Sequence, residues 1–170
     1  MTFSKCRFTI RTLLPAAALA GLLLAVTAPA GQAGQDSVTG TGRHQGADPP
    51  FPVIQVHVNA FADPTGADTR GKLISDMTNA TSEGRYQARV TCLSVFGSPF
   101  GNEATVGIEI VKASTPGFVG QGQLWSVVDN GGSDRIAGHP LTPTPPVVCP
   151  PLFFNVPVVS GNYVIHDSGP

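Results

Sequence analysis

Apolar and polar residues alternate along three stretches of the chain, at residues 54–60, 85–92 and 103–110. A period of two puts every second side chain on the same face of a strand, so each stretch predicts a β-strand with one buried and one solvated face. The apolar members are Ile54, Val56, Val58 and Ala60; Tyr86, Ala88, Val90 and Cys92; and Ala104, Val106, Ile108 and Ile110. We expect each of these three groups to share one inward face.

Weaker strand patterns occupy much of the remaining chain after residue 30. They lie near Val38 and at residues 72–77, 120–129 and 162–167, and runs rich in Gly, Pro, Asn and Asp separate them. No stretch after residue 30 shows apolar residues at helical spacing. Seven or eight short strands between turns predict an all-β fold, either an antiparallel barrel or a sandwich.

Two segments interrupt the strand pattern. Residues 42–52 predict a loose connection, and residues 140–157 are rich in proline. Because proline has no N–H to donate to a strand ladder, the second segment predicts a loop or an edge and not a central strand. With these two segments included, residues 31–170 are expected to form a single all-β domain.

Residues 1–30 have the pattern of a cleaved secretory signal peptide. Three basic residues near the start precede an apolar stretch at 13–26, which is shorter than the roughly 20 residues that a membrane-spanning helix needs. The Ala-Pro-Ala run at 28–30 predicts cleavage before Gly31; a cut after Ala33 and a retained signal anchor are the alternatives. We therefore expect a secreted, extracellular protein with no stable membrane insertion after cleavage.

Charge narrows the range of partners. Residues 1–30 hold three of the ten basic residues and none of the eleven acidic ones, which leaves seven against eleven and a net charge of −4 for the rest of the chain. A nucleic-acid-binding surface needs clustered Lys and Arg, and attraction to an anionic membrane surface needs them as well. The sequence argues against both and leaves an envelope or extracellular partner.

Two cysteines, Cys92 and Cys149, remain once the predicted signal peptide has removed Cys6. Two thiols in an oxidising compartment most often pair, and the chain has no Cys-X-X-Cys spacing that would indicate a redox or zinc site. We predict a structural disulfide between them, which in the chain-entropy model stabilises the fold by roughly 4 kcal/mol.

Four runs of sequence resemble a family of small exported β-rich proteins of high-GC bacteria. They are VTCLSV at 90–95, GNEATVG at 101–107, VVDNG at 127–131 and GNYVIHD at 161–167. The same pattern resembles C-terminal β modules of cell-surface proteins. The resemblance covers nearly all of the chain after residue 30 and implies a bacterial, exported, all-β module. Its motifs are hairpin sequences, so it implies no catalytic residue.

Residue types suited to catalysis do not form a recognised motif. The chain has no GxSxG nucleophile elbow. Ser160, His166 and Asp167 are suitable residue types, but the last two are adjacent on a predicted strand and so point to opposite faces. We therefore predict a non-enzymatic protein that uses no cofactor.

The chain offers two sets of candidate metal ligands. None of the four histidines has a metal-ligand spacing. His57 and His166 lie on two predicted strands that could be neighbours in the sheet. Asp129, Asn130 and Asp134 are candidate calcium ligands, because calcium prefers oxygen ligands. The run lacks the glutamate of an EF-hand, and Asn-Gly is also typical of a hairpin turn. We favour the turn and predict no metal site.

Trp125 is a candidate ligand-binding residue. With Gln121 and Gln123 on the same predicted face, its ring would suit a carbohydrate on the surface of the sheet. The alternative, which we favour, is that Trp125 packs beneath a loop or inside the fold.

Together these features predict an exported, non-enzymatic β module with a binding or structural role in the envelope or the extracellular medium. Two alternatives stay open. One is a β-barrel that carries a small ligand in an internal apolar pocket. The other, ranked last, is a small secreted hydrolase with an unrecognised site.

Overall fold

The computed structural model of the chain describes residues 34–46, 52–63, 65–78, 83–153 and 156–169. The predicted signal peptide lies outside these residues. Within the described part of the chain, no helix is long and apolar enough to cross a membrane.

Eight β-strands form the described fold. They are β1 (Asp36–Gln45), β2 (Val53–Ala62), β3 (Arg70–Thr78), β4 (Glu83–Ser98), β5 (Gly101–Ala113), β6 (Gly122–Asp129), β7 (Arg135–Gly138) and β8 (Val156–His166). A short 3₁₀ turn, Pro116–Phe118, lies between β5 and β6. The three alternating stretches fall within β2, β4 and β5, as predicted.

Each strand pairs antiparallel with the next, and β8 pairs back onto β1, so the sheet closes into an up-and-down barrel. This confirms the predicted all-β antiparallel fold and decides for a barrel over a sandwich. Closure removes the free strand edges that an open sheet has to protect.

Alternate residues of the strands fill the barrel interior. The buried apolar cluster comprises Val38, Val56, Val58, Ala60, Ala62, Leu73, Ala88, Val90, Leu93, Ala104, Val106, Ile108, Ile110, Trp125, Val127, Ile136, Tyr163 and Ile165. Tyr163 is the largest of the fully buried side chains, and its hydroxyl donates to the carbonyl oxygen of Val56 at 3.0 Å. Its ring lies against Gly42 of β1, where a Cβ would be 2.8 Å from the hydroxyl oxygen. The glycine therefore leaves the space that the aromatic ring fills.

A bulge in β4 moves Cys92 to the outer face of the barrel. Val90 pairs with the inward residue Ile108, whereas Cys92 pairs with Gly107, which leaves Thr91 as the extra residue. One extra residue exchanges the two faces of a strand from that point on. The prediction that Cys92 shares the inward face of Val90 is therefore wrong.

The outward position of Cys92 lets a disulfide hold the proline-rich segment against the outside of the barrel. Cys92 and Cys149 are bonded, which confirms the predicted pairing. Beside the bond, the hydroxyl of Thr91 donates to the carbonyl oxygen of Pro146 at 2.6 Å. The bulge residue and the disulfide thus fix the same part of the segment.

The connection predicted at residues 42–52 is shorter than expected. β1 continues to Gln45, and the N–H of Gly46 donates to the carbonyl oxygen of Pro52 at 2.8 Å, which closes the ends of the loop. The prediction is wrong for 42–45, because a glycine at an inward position leaves no apolar alternation in the sequence. Residues 47–51 lie outside the described residues.

The barrel closes through a short seam between β7 and β8. These strands pair at two positions only. Next to them, the N–H of Val158 donates to the backbone carbonyl oxygen of Asp134 at 2.8 Å. Farther along β8, carboxylates take the place of a neighbouring strand. Asp134 accepts the backbone N–H of Tyr163 at 2.6 Å, and Asp129 accepts the N–H of Ile165 at 3.1 Å. We call the two strand pairs and these two carboxylate bonds the seam.

The strands on either side of the seam differ from the prediction. β7 was not predicted, because four residues are too few to establish a period. β8 begins at Val156, ahead of the strand predicted at 162–167 and inside the loop predicted at 140–157. It includes Pro157, which is accommodated because it lies at the start of the strand, where few ladder bonds are required.

Candidate ligand-binding pocket

A pocket opens at one end of the barrel. Antiparallel order brings the ends of β1, β3, β5 and β7 and the starts of β2, β4, β6 and β8 together there. The described residues that line it are His44, Gln45, Gly46, Ile54, Ser75, Met77, Gly84, Arg85, Tyr86, Ser114, Phe118, Gln123, Trp125, Ala137, Gly138, Leu141 and Val156. We call it the mouth pocket.

The mouth pocket is small and mostly apolar. Its volume of about 270 Å³ lies just below the range of about 300–1,000 Å³ that is usual for pockets holding drug-sized ligands. Met77 comes from β3, Phe118 from the 3₁₀ turn and Leu141 from the proline-rich segment. The pocket therefore suits a small ligand with a largely apolar body.

A hydrogen-bonded group of side chains forms one wall. The hydroxyl of Tyr86 donates to Oε1 of Gln123 at 2.5 Å, and Nε1 of Trp125 donates to the same oxygen at 3.1 Å. The other end of the amide donates to the carbonyl oxygen of His139 at 2.6 Å. Burial raises the pKa of Tyr86, so its hydroxyl keeps its proton. These contacts fix both aromatic rings in place.

His44 brings a buried polar ring to the same pocket. The residue is 3% exposed, and its Nδ1 lies 3.3 Å from the carbonyl oxygen of Gln45. A carbonyl only accepts, so Nδ1 is the nitrogen that carries the proton. Burial lowers the pKa of His44, which keeps the ring neutral near pH 7. Nε2 is then an acceptor, and among the described residues it has no hydrogen-bond partner.

Two further contacts define the surroundings of His44. Its ring packs edge-on against Trp125, with centroids 6.1 Å apart. Arg85, a charged lining residue, pairs with Asp76 through Nε and Oδ1 at 3.2 Å, and the Arg85 side chain is 59% exposed. The guanidinium therefore belongs to the solvated rim.

The structure places Trp125 inside the barrel. It is 2% exposed and belongs to the core cluster, which agrees with the packing interpretation and rules out a sugar platform on the outer surface of the sheet. It also lines the mouth pocket together with Gln123. Trp125 thus remains a candidate ligand-binding residue, reached from inside the barrel.

The candidate calcium ligands lie at the opposite ends of β6 and β7, in a hairpin turn. Oδ1 of Asp129 accepts the N–H of Gly131 at 3.1 Å, and Oδ1 of Asn130 accepts the N–H of Ser133 at 2.7 Å. Asp134 accepts the N–H of Tyr163 in the seam and is 4% exposed. Most of these oxygens have backbone partners, as the turn interpretation expects. No group of three or more His, Cys, Asp or Glu among the described residues is arranged to hold a metal ion.

The remaining candidate residues do not come together. His57 and His166 lie on β2 and β8, and β1 separates these strands, so the two strands that could have been neighbours are not. His57 instead contacts the hydroxyl of Thr41 through Nδ1 at 2.7 Å. Ser160 and His166 are on the same strand, about 20 Å apart at the usual rise per residue.

Sequence reasoning missed most of the mouth pocket. Its lining includes single inward residues near the ends of strands, such as His44, Tyr86 and Gln123. The alternation in the sequence indicates the inward faces of Tyr86 and Gln123, whereas His44 lies where the sequence shows no alternation. Which strand ends meet, however, depends on closure of the barrel and on the register of every pair.

Comparison of the chain with protein-family models, curated proteins and solved structures finds no match. The resemblance to exported β-rich proteins stays a prediction.

Proposed function

We propose that the protein is an exported, non-enzymatic barrel that binds a small, mostly apolar ligand in its mouth pocket. The observation that carries this proposal is the pocket itself, which is lined by aromatic and aliphatic side chains at one end of the barrel. A concave, mostly apolar site with a few converging polar groups is the usual form of a small-molecule binding site. This favours ligand binding over a purely structural role.

The chemistry of the lining supports binding rather than catalysis. Its described side chains include no carboxylate, and Tyr86, Gln123 and Trp125 are hydrogen-bonded to one another. A general acid or base has to reach the reacting atom with a proton to give or take. Those three groups are already engaged and hold a fixed shape. The lining also holds His44, but its Nδ1 contacts the backbone carbonyl of Gln45 and not a carboxylate that would strengthen the ring as a base.

The disulfide supports a location outside the cytoplasm. Cys92 and Cys149 are bonded on the outer wall of the barrel, and such bonds persist mainly in oxidising compartments. Together with the signal-like pattern of residues 1–30, this favours an extracellular binding protein.

Trp125 makes the proposal directly testable, because it is the only tryptophan of the chain and lines the pocket. We expect N-phenyl-1-naphthylamine, a neutral apolar fluorophore, to quench Trp125 emission in a saturable manner with one site per chain. The dye should gain fluorescence over the same concentration range.

A matched pair of glycine variants separates pocket binding from adsorption elsewhere. In Gly84→Leu the new side chain starts beside Met77, with its Cβ 3.2 Å from the Met77 Cε, and should fill the pocket. In Gly97→Leu, on the same strand, the Cβ meets nothing within 4 Å. Binding should be lost in the first variant and kept in the second. Equal binding by both would overturn the proposal, as would a linear titration of the wild type.

A further inference from the structure

We infer that the hairpin turn between β6 and β7 is a self-modification site, at which Asn130 loses ammonia and is converted to aspartate and isoaspartate. The turn comprises residues 130–133, all of which are exposed. Asn130 is the one asparagine of the chain that is followed by a glycine. The inference concerns the closure of the barrel and is independent of ligand binding in the mouth pocket.

Gly131 supplies the nucleophile. Its backbone nitrogen can attack the side-chain carbon Cγ of Asn130, because a glycine has no side chain to obstruct the approach. The space around it is open as well, since a Cβ at Gly131 would meet no atom within 4 Å. The turn therefore leaves room for ring closure, for the departure of ammonia and for the entry of water.

Asp129 provides a base for this attack. Its Oδ1 accepts the N–H of Gly131 at 3.1 Å, so the carboxylate already contacts the proton that the nitrogen has to give up. A general base has to lie within about 2.6–3.2 Å of the group whose proton it removes. The N–H lies in the plane of the peptide unit, whereas the attacking electron pair lies out of that plane, so the hydrogen bond does not block the attack.

Two backbone N–H groups stabilise the charge that develops on the amide oxygen. Oδ1 of Asn130 accepts the N–H of Ser133 at 2.7 Å and the N–H of Gly132 at 3.3 Å. Attack at Cγ places negative charge on this oxygen, and donors that already point to such an oxygen lower the barrier. The turn thus brings a nucleophile, a base and two oxyanion donors to one side-chain amide.

The reaction needs water as its only co-reactant. A bond forms between the Gly131 nitrogen and Cγ of Asn130, and the bond between Cγ and Nδ2 breaks. The proton that Asp129 takes from Gly131 leaves with Nδ2 as ammonia, which gives a cyclic imide. Water then opens the imide at Cγ to give aspartate, or at the backbone carbonyl carbon to give isoaspartate.

Isoaspartate at this position would weaken the seam. It inserts the Cβ of residue 130 into the main chain, directly after Asp129, whose Oδ2 accepts the N–H of Ile165 at 3.1 Å. Asp134, which accepts the N–H of Tyr163 at 2.6 Å, lies at the other end of the same turn. A longer turn changes the spacing of these two carboxylates along β8, so we expect the modified protein to unfold at a lower urea concentration.

The rate of ammonia loss in the folded protein, compared with the unfolded chain, tests the inference. The oxidised protein and the same chain, reduced and unfolded in urea, would be incubated at one pH and temperature. Mass spectrometry of the peptide that contains Asn130 would follow the reaction. We expect it to be at least about tenfold faster in the folded protein, because a positioned general base contributes about 10²–10⁴-fold. An equal or slower rate in the folded protein would overturn the inference.

The pH dependence identifies the base. In the unfolded chain the rate should rise in proportion to the hydroxide concentration, whereas a carboxylate base should make the rate in the folded protein nearly independent of pH around neutrality. A rate proportional to hydroxide in the folded protein as well would exclude Asp129 as the base and contradict the inference.

Three variants separate the base from the fold. Asp129→Asn should slow the reaction while the protein, as reported by its urea transition, is still folded. Asp134→Asn, which alters the other seam carboxylate and does not remove the contact with Gly131, should react at the wild-type rate. Asn130→Ser has no amide to lose and should keep its urea midpoint on incubation, whereas the wild type loses stability. Equal rates in the two aspartate variants, or equal stability of incubated wild type and Asn130→Ser, would count against the inference.

Discussion

At the scale of single residues, His44 is the least expected member of the barrel interior. It lies on the inward face of β1, in register with Ile54 of β2, among side chains that are mostly apolar. A neutral imidazole with one hydrogen bond tolerates burial far better than a charged one does. The ring therefore ties the stability of the barrel to pH.

We expect the free energy of unfolding to decrease as the pH falls below about 6.5. Burial lowers the pKa of both His44 and His139 from the usual value of 6.5, so the unfolded chain takes up protons before the folded protein does. The free energy of unfolding rises with pH wherever the unfolded state binds more protons. On acidification it therefore decreases until the pH is below the pKa values of both histidines in the folded protein.

Urea unfolding above and below pH 6.5 measures this dependence. His44→Phe removes one of the two groups and should give a smaller change between the two conditions than the wild type gives. An unchanged pH dependence in the variant would show that His44 does not contribute.

At the scale of elements, the proline-rich segment behaves as an outer layer of the barrel wall. Its Thr142 exchanges two backbone hydrogen bonds with Gly122 of β6, at 2.8 and 2.9 Å. Contact is close because Gly122 has no side chain: a Cβ there would lie 2.6 Å from the Cα of Pro145. The disulfide then fixes the segment farther along.

Gly122→Ala should destabilise the protein by about 2 kcal/mol, because the added methyl would lie 2.6 Å from the Cα of Pro145 and 2.7 Å from the carbonyl oxygen of Thr144, so the segment has to shift. Gly97→Ala is the control on another strand, where a Cβ meets nothing within 4 Å. It should change stability by no more than about 1 kcal/mol, because reduced freedom of the unfolded chain is its main effect. Equal changes in the two variants, measured by urea unfolding, would mean that the segment does not press on β6.

The sequence predicts elements better where a strand is regular. The period of two locates β2 and most of β5, because the alternation is unbroken over residues 54–60 and 103–110 and the bulge of β5 at Val111 comes after it. In β4 the same rule fails after Val90, since the bulge at Thr91 changes the phase without any change in composition. The four residues of β7 are too few to carry a pattern at all.

The sequence does not predict the mouth pocket, for a different reason. The sequence indicates that Trp125 is buried and that Cys92 and Cys149 pair, because each follows from residue type and compartment. The neighbourhood of Trp125 and His44 follows only from closure of eight strands in one register. Long-range pairing of this kind is not encoded in any local window.

At the scale of the whole molecule, the barrel is a ring of eight strand pairings of unequal strength. β1 and β8 pair over most of their length, whereas the seam has two residue pairs. Asp129 and Asp134 compensate by binding two backbone N–H groups of β8. The fold therefore depends on these two side chains for closure.

Asp134→Ala should lower the free energy of unfolding by about 2 kcal/mol, because it leaves the buried N–H of Tyr163 without its charged acceptor. Asp68→Ala is the matched control. Asp68 pairs with Arg70 on the surface, where both side chains are more than half exposed, and loss of such a pair costs at most about 1 kcal/mol. Chemical denaturation of both variants measures the two losses in the free energy of unfolding. Similar losses would show that Asp134 does not hold the barrel closed.

The two-pair ladder of the seam also bears on how long a bound molecule stays. Parting β7 from β8 would leave the other seven pairings of the ring intact, so a break in the seam would open the barrel sideways into one curled sheet. Such opening would expose the interior between β7 and β8 and give the ligand a second exit besides the mouth pocket. The residence time of the ligand would then follow the opening rate of the seam, and the two aspartates that hold it closed would govern release without touching the ligand.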